Sequence, residues 1–306
     1  MKVRAILNPR AGVNGSATRE AIEGGRPAWK DYAVYLTRAA GHATELAREA
    51  VSAGADLVLA VGGDGTVNEV ARGLMGSGTA LGVVPAGSGN GLARALRIPL
   101  RPGPALAALE AGVRRRMDVG FLNRRLFLNV AGVGFDAAVG HSFHERGKKG
   151  GRRGFLGYVR LCLLELRTYR PPRVSIEVPP ERLELEAFVL TFANGPQYGA
   201  GAVINPGAKI DDGRLEVVAF EQAPLWRIVA TGAHMFLGGL ERSAGYRRLS
   251  GASATVVGRS PLPVHCDGDP SEAAARVEVT LRPRALEIVV PFGAASDPAG
   301  ALSARA

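Results

Sequence analysis

Along the first third of the chain, apolar positions fall into two alternating patterns. Residues 3–7 are a short run with β-branched Val3 and Ile6, closed by Asn8-Pro9, which predicts a first β-strand. Residues 32–37 alternate apolar and polar side chains with the period of a strand, and 42–54 follow with helical spacing at Leu46, Ala47, Ala50 and Val51. Residues 57–61 are continuously apolar and end on Gly62-Gly63, the pattern of a strand buried on both faces. Helical spacing resumes at 67–75, a further buried strand is predicted at 80–84, and a helix opens over 91–96. Such alternation implies a mostly parallel sheet with its ligand at the carboxyl ends of the strands.

After about residue 118 the pattern changes. Strands are predicted at 119–121, 125–130, 174–178, 184–193, 215–220, 254–257 and 264–266, with helices at 155–167 and 225–238. Asn123, Pro179-Pro180, Asn194-Gly195, Asp212-Gly213 and Asp267-Gly268 are the turn signals between them. The reading is α/β followed by all-β, divided at 1–120 and 121–283, with 284–306 open to packing back on the first part. The small polar end, 295–306, is expected to be disordered.

Composition adds a packed core, from 46% hydrophobic and 22% charged residues, and many tight turns, from 41 glycines against 6% aromatics. The net charge of +10 favours anionic partners: nucleotide phosphates, lipid headgroups or nucleic acid. An Arg-rich, Ala-rich composition with no single partner is the other reading. Arg146, Lys148, Lys149, Arg152 and Arg153 form a basic run, read either as a solvated loop or as a membrane contact at about 1 kcal/mol per charge. Nucleic acid is set aside as a partner, because no aromatic interleaving accompanies that run. Arg114-Arg115-Arg116 reads as a solvated turn. Cys162 and Cys266 are too few for a disulfide framework and read as buried small hydrophobes. With no apolar stretch of about 18 residues and an N-terminal run too short for a secretory signal, a cytoplasmic protein is expected.

The segment Gly62-Gly63-Asp64-Gly65-Thr66-Val67-Asn68-Glu69 joins a buried strand to a helix. Glycines let a backbone turn with φ > 0 and let N–H groups approach phosphate, and the helix N-terminus adds donors and a positive dipole end. Asp64 offers a carboxylate to a magnesium ion bridging phosphate oxygens, and Thr66 is read as a helix cap or a phosphate donor. Gly-Gly-Asp-Gly also suits a hairpin, but a hairpin explains neither the buried strand before it nor the helix behind it.

That segment resembles the signature of the diacylglycerol kinase catalytic domain family, which also includes sphingosine and ceramide kinases. Asn8-Pro9-Arg10-Ala11-Gly12, Thr37 with His42-Ala43-Thr44-Glu45, and Pro85-Ala86-Gly87-Ser88-Gly89-Asn90 resemble the family's other turns in order. So do Met117-Asp118-Val119-Gly120, the run from Asn129 to Asp136, Lys209-Ile210-Asp211-Asp212-Gly213 and Asp267-Gly268-Asp269. The resemblance implies an NAD kinase- and phosphofructokinase-like nucleotide-binding domain followed by a β-sandwich, with ATP and Mg2+ between them. Asn8, Pro9, Arg10, Ala11, Gly12, Thr37, the segment from Gly62 to Glu69 and Ser88 would bind the nucleotide.

The family's general base is the last acid of an Asp-Gly-Glu turn. Asp269, one methylene shorter, takes that place here. Asp64 and Asp118 would attend the catalytic magnesium. Asp212, with the carbonyls of Lys209 and Arg214, would bind a structural one, although an ordinary Asp-Gly turn suits Asp212-Gly213 equally well. Gly91 stands where many bacterial members carry Asp. The implied activity is phosphorylation of a lipid hydroxyl by a peripheral enzyme at the inner membrane face. An apolar tunnel lined by Leu156, Leu161, Phe192 and Phe236 would favour the lipid over another hydroxyl. A non-catalytic nucleotide-binding protein and a homodimer stay open.

Overall fold

The computed structural model describes residues 1–11, 15–24, 29–148, 164–166 and 168–293. Gly12, Cys162, the basic residues 149–153, most of the helix expected at 155–167 and the tail at 295–306 lie outside them. The chain divides into two compact units. The first comprises Met1–Val119, Lys209–Asp212 and the chain from Pro283 on; the second comprises Gly120–Ala208 and Gly213–Arg282.

In the first unit, β1 (Lys2–Leu7), β2 (Asp31–Leu36), β3 (Leu57–Gly62) and β4 (Ala80–Pro85) pair in parallel in the order β2-β1-β3-β4. Every residue of β3 and of β4 is buried, so each strand reads as an unbroken apolar run. The helices α1 (Gly15–Glu23), α2 (His42–Ser52), α3 (Asp64–Leu74), α4 (Gly91–Ala95) and α5 (Pro102–Glu110) connect or follow these strands. α3 buries Val67, Val70, Ala71 and Leu74, the helical spacing seen in the sequence. It packs on α2 so closely that a Cβ at Gly73 would lie 2.6 Å from Ala47 Cβ and 2.7 Å from the Thr44 carbonyl oxygen.

The second unit is antiparallel. β7 (Val130–Gly134), β9 (Glu181–Ala193), β10 (Leu215–Glu221) and β11 (Tyr246–Gly251) pair in that order, with β12 (Ser253–Cys266) on the other side of β7. β8 (Arg173–Val178) pairs with β9 and β12. Leu190 and Phe192 of β9 join Val217 and Ala219 of β10 in one apolar core, whereas Ala193 joins Val218 and Phe220 in another. Both faces of this sheet are covered, which explains the apolar run Val217–Phe220 in β10. Phe192 is a fully buried member of that core rather than the lining of a tunnel.

Two strands carry the chain across the division: β5 (Val113–Leu122) and the 22-residue β13 (Asp269–Val290). Arg115 and Arg116 lie on β5 and pair with Asp211 at 3.2 Å and Glu287 at 2.7 Å, so the expected solvated turn is a strand. β13 is antiparallel to β12 near Asp269, and its Ile288 faces Leu81 of β4 in parallel. The run expected as one strand at 125–130 is β6 (Arg125–Phe127) followed by β7, and the two strands expected at 254–257 and 264–266 are the single β12. Among the described residues, the second unit also carries the helices α6 (Phe135–Lys148) and α7 (Leu225–Leu237).

Candidate active site

β1 to β4 all run in one direction, so their carboxyl ends lie along one edge of the first unit's sheet. That edge carries Asn8 after β1, Thr37 after β2, Gly63 and Asp64 after β3, and Gly87 and Ser88 after β4. Asn8 donates from Nδ2 to Thr66 Oγ1 at 3.1 Å, while its Oδ1 accepts the Arg10 N–H at 3.0 Å and closes the first turn. The Thr37 N–H donates to the Leu7 carbonyl at 2.9 Å. Pro9, Arg10 and Ser88 are exposed.

The helix α3 begins at Asp64, three residues earlier than its apolar spacing predicts. Asp64, Gly65 and Thr66 therefore form its first turn, whose N–H groups have no acceptor within the helix. Gly63 is the N-cap in extended conformation, φ −88°, and Thr66 does not cap the helix. None of Gly62, Gly63 and Gly65 has a positive φ, so the conformational reading of these glycines is corrected. The need at Gly62 and Gly63 is space. A Cβ on Gly62 would meet the Thr66 side chain, and one on Gly87 would lie 2.6 Å from Gly63 Cα. The turns after β3 and β4 thus touch backbone to backbone.

Asp64 Oδ1 accepts the Gly91 N–H at 2.8 Å, satisfying the first amide of α4. Asn90 (φ 52°) holds the turn before it, accepting from the Gly87 N–H at 3.0 Å and donating to the Gly87 carbonyl at 2.8 Å. The remaining residues of the segment serve the framework. Val67 and Asn68 are buried, and the Glu69 carboxylate accepts the Gly41 and Ala43 N–H groups at 2.9 and 3.2 Å, tying down the start of α2. Asp118 is wholly buried and accepts the Arg284 N–H at 2.7 Å, a brace inside the unit rather than an accessible partner for hydrated magnesium.

Among the described residues no group of three or more His, Cys, Asp or Glu side chains suits a metal ion. On the loop expected to hold a structural magnesium, Asp211 pairs with Arg115 and Asp212 is exposed. Lys209 belongs to the first unit and Arg214 to the second, where its Nε donates to Ser250 at 2.9 Å.

In the second unit, Asp267 (φ 49°) and Gly268 (φ 85°) form the two-residue turn between β12 and β13, with both φ values positive as a type I′ hairpin requires. The Asp267 carboxylate accepts the N–H groups of Leu128, Asn129 and Val130 at 2.8, 2.9 and 3.2 Å. Asp269 begins β13 and is exposed, and Cys266 is buried. Behind the turn, sequence reasoning missed a cluster. His265 Nε2 lies 3.0 Å from Asp136 Oδ2, the Tyr198 hydroxyl lies 2.8 Å from the same oxygen, and Tyr198 bonds to Thr191. The only available sign was Gly132, which faces His265 across β7 and β12 and where a Cβ would overlap both Asp136 and His265.

Residues 2–122 match the diacylglycerol kinase catalytic domain, and 129–290 match the YegS C-terminal NAD kinase beta sandwich-like domain. A Pseudomonas aeruginosa protein named "Probable lipid kinase YegS-like" is 33% identical over 294 residues, 95% of each chain. The chain belongs to the diacylglycerol kinase catalytic domain family. Another relative of this family member is a Bacillus subtilis protein named "Diacylglycerol kinase", 31% identical over 233 residues, 73% of this chain and 75% of that one. Two solved structures share its fold. One, titled as a diacylglycerol kinase from Bacillus anthracis, has a TM-score of 0.75 at 21% identity over 95% and 97% of the chains. The other, titled as an Archaeoglobus fulgidus NAD kinase in complex with ATP, has a TM-score of 0.51 at 13% identity over 94% and 92%. The expected fold, an NAD kinase-like domain followed by a β-sandwich-like one, is therefore correct.

Proposed function

We propose that this kinase-family chain transfers the γ-phosphoryl group of ATP to the hydroxyl of a lipid such as diacylglycerol, acting peripherally at the cytoplasmic face of a membrane. One observation carries the reading. The first turn of α3 presents backbone donors at the carboxyl edge of a parallel sheet, beside a Gly63–Gly87 contact too close for a Cβ at Gly87. A triphosphate suits such donors, because they oppose its charge without the cost of desolvating a buried cation. Bound magnesium would neutralise phosphate charge, and Asp64 is the carboxylate we assign to it.

Asp269 is the proposed base. Its exposed carboxylate takes the proton of the acceptor hydroxyl as that oxygen forms its bond to the γ-phosphorus and ADP leaves. Asp267 does not compete for the role, since three backbone amides already engage its carboxylate. No helix among the described residues is long and apolar enough to cross a membrane.

The test is ATP turnover against diacylglycerol, phosphatidylglycerol, a sphingoid base and glycerol, using the full chain and Asp269→Asn. Turnover with a lipid is expected. It should fall by about a hundredfold or more in Asp269→Asn, with ATP binding retained. Activity on glycerol alone would rule out the lipid, a fully active Asp269→Asn would remove the base, and ATP binding without turnover on any acceptor would favour a regulatory protein.

A further inference from the structure

The buried cluster behind the Asp267-Gly268 turn has one consistent arrangement of hydrogens. The Gly268 N–H donates to His265 Nδ1 at 3.3 Å, so Nδ1 is the unprotonated nitrogen. The ring hydrogen then sits on Nε2 and is donated to Asp136 Oδ2 at 3.0 Å. Tyr198 donates to that same oxygen at 2.8 Å, which leaves its hydroxyl oxygen to accept from Thr191. Asp136 Oδ1 accepts the Ala137 N–H at 2.9 Å. Every link thus points toward one carboxylate, and each fixes the orientation of the next. The His265 and Asp136 side chains are only 4% and 12% exposed. Burial, and after it the charge of Asp136, raise the Tyr169 hydroxyl above its usual range.

An ion pair or hydrogen bond of this kind can be a packing device only. This one ends on the amide of Gly268, the residue next to Asp269. We propose that His265 is a positioning residue for phosphoryl transfer: anchored on Asp136, it holds the Gly268 amide and so fixes where the Asp269 carboxylate stands. The inference rests on Asp269 being the base. A base displaced by about 1 Å can cost on the order of a hundredfold in rate, whereas nucleotide binding in the first unit does not depend on this turn.

The experiment compares the full chain with His265→Leu and His265→Gln, the second of which keeps an acceptor and a donor on one side chain. Steady-state kinetics and amide exchange at Gly268 are measured on each, and the imidazole nitrogens of the unmodified chain are observed by NMR. His265→Leu is expected to lower kcat by about tenfold or more while KM for ATP changes by less than about twofold. Loss of the hydrogen bond should speed Gly268 exchange by about fivefold to tenfold, and His265→Gln should recover most of both effects.

Three results would overturn the proposal: unchanged kcat in His265→Leu, unchanged Gly268 exchange, or a His265→Gln no better than the leucine variant. Should His265→Leu fail to fold, the imidazole spectrum still decides, because a hydrogen found on Nδ1 removes the bond. Asp269→Asn run in parallel separates the two claims. If it is fully active, the base assignment fails, and the exchange data alone report whether His265 holds the turn.

Discussion

Gly63 and Gly87 show how a position can be singled out for an incomplete reason. Glycine next to a buried strand signalled a phosphate-binding turn, and conformational freedom was its apparent cause. The backbone at Gly62 and Gly63 is ordinary, and the constraint is the 2.6 Å that would separate a Gly87 Cβ from Gly63 Cα. Such a contact joins two turns far apart in sequence, so no local pattern reveals it. Gly87→Ala is expected to cost about 1–3 kcal/mol by overpacking and to raise KM for ATP. Thermal unfolding and ATP titration check this, and unchanged values for both would show that the turns do not need to touch. The pairing of His265 with Asp136 was illegible for a related reason, since the two lie 129 residues apart with no spacing signature.

Elements were legible where burial imposes a period. β3, β4, α2 and α3 each bury a set of side chains that the apolar pattern marks, and their expected positions differ from the structure mainly at the ends. α3 starts early because its first turn is made of Asp64, Gly65 and Thr66, which carry no apolar signal. β13 was missed because its opening residues, Asp269 to Arg276, are mostly exposed and poor strand formers; pairing with β12 overrides their propensity. Glu69 acts at this scale. It sits on α3 but satisfies the first amides of α2, a substitute for a local cap. Glu69→Ala should destabilise the first unit by about 1–2 kcal/mol, read as a lower denaturation midpoint. An unchanged midpoint would mean that water satisfies those amides equally well.

For the whole molecule, the switch from alternating strands and helices to a run of strands was visible as a change of period. The return of the chain from Pro283 on to the first unit was left open by the sequence, whereas Lys209–Asp212, a short polar segment, gave no sign that it belongs there too. Leu286, Ile288, Val289 and Val290 are all buried, and at roughly 1.5–3 kcal/mol each their removal would cost about as much as a domain's whole stability. A chain ending at Arg282 is therefore expected to lose ATP binding and cooperative unfolding of the first unit. Recovery of a folded, ATP-binding 1–282 fragment would show that this unit closes without its last segment.

The two acids of the Asp267-Gly268-Asp269 turn answer to different demands. Position 267 is locked by its backbone angle and three amide partners, so shape dictates its identity. Position 269 is exposed at the mouth of a strand, where folding is indifferent to one methylene more or less. Under the base role proposed for Asp269, side-chain reach at 269 can thus differ between Asp and Glu without disturbing the frame that carries it.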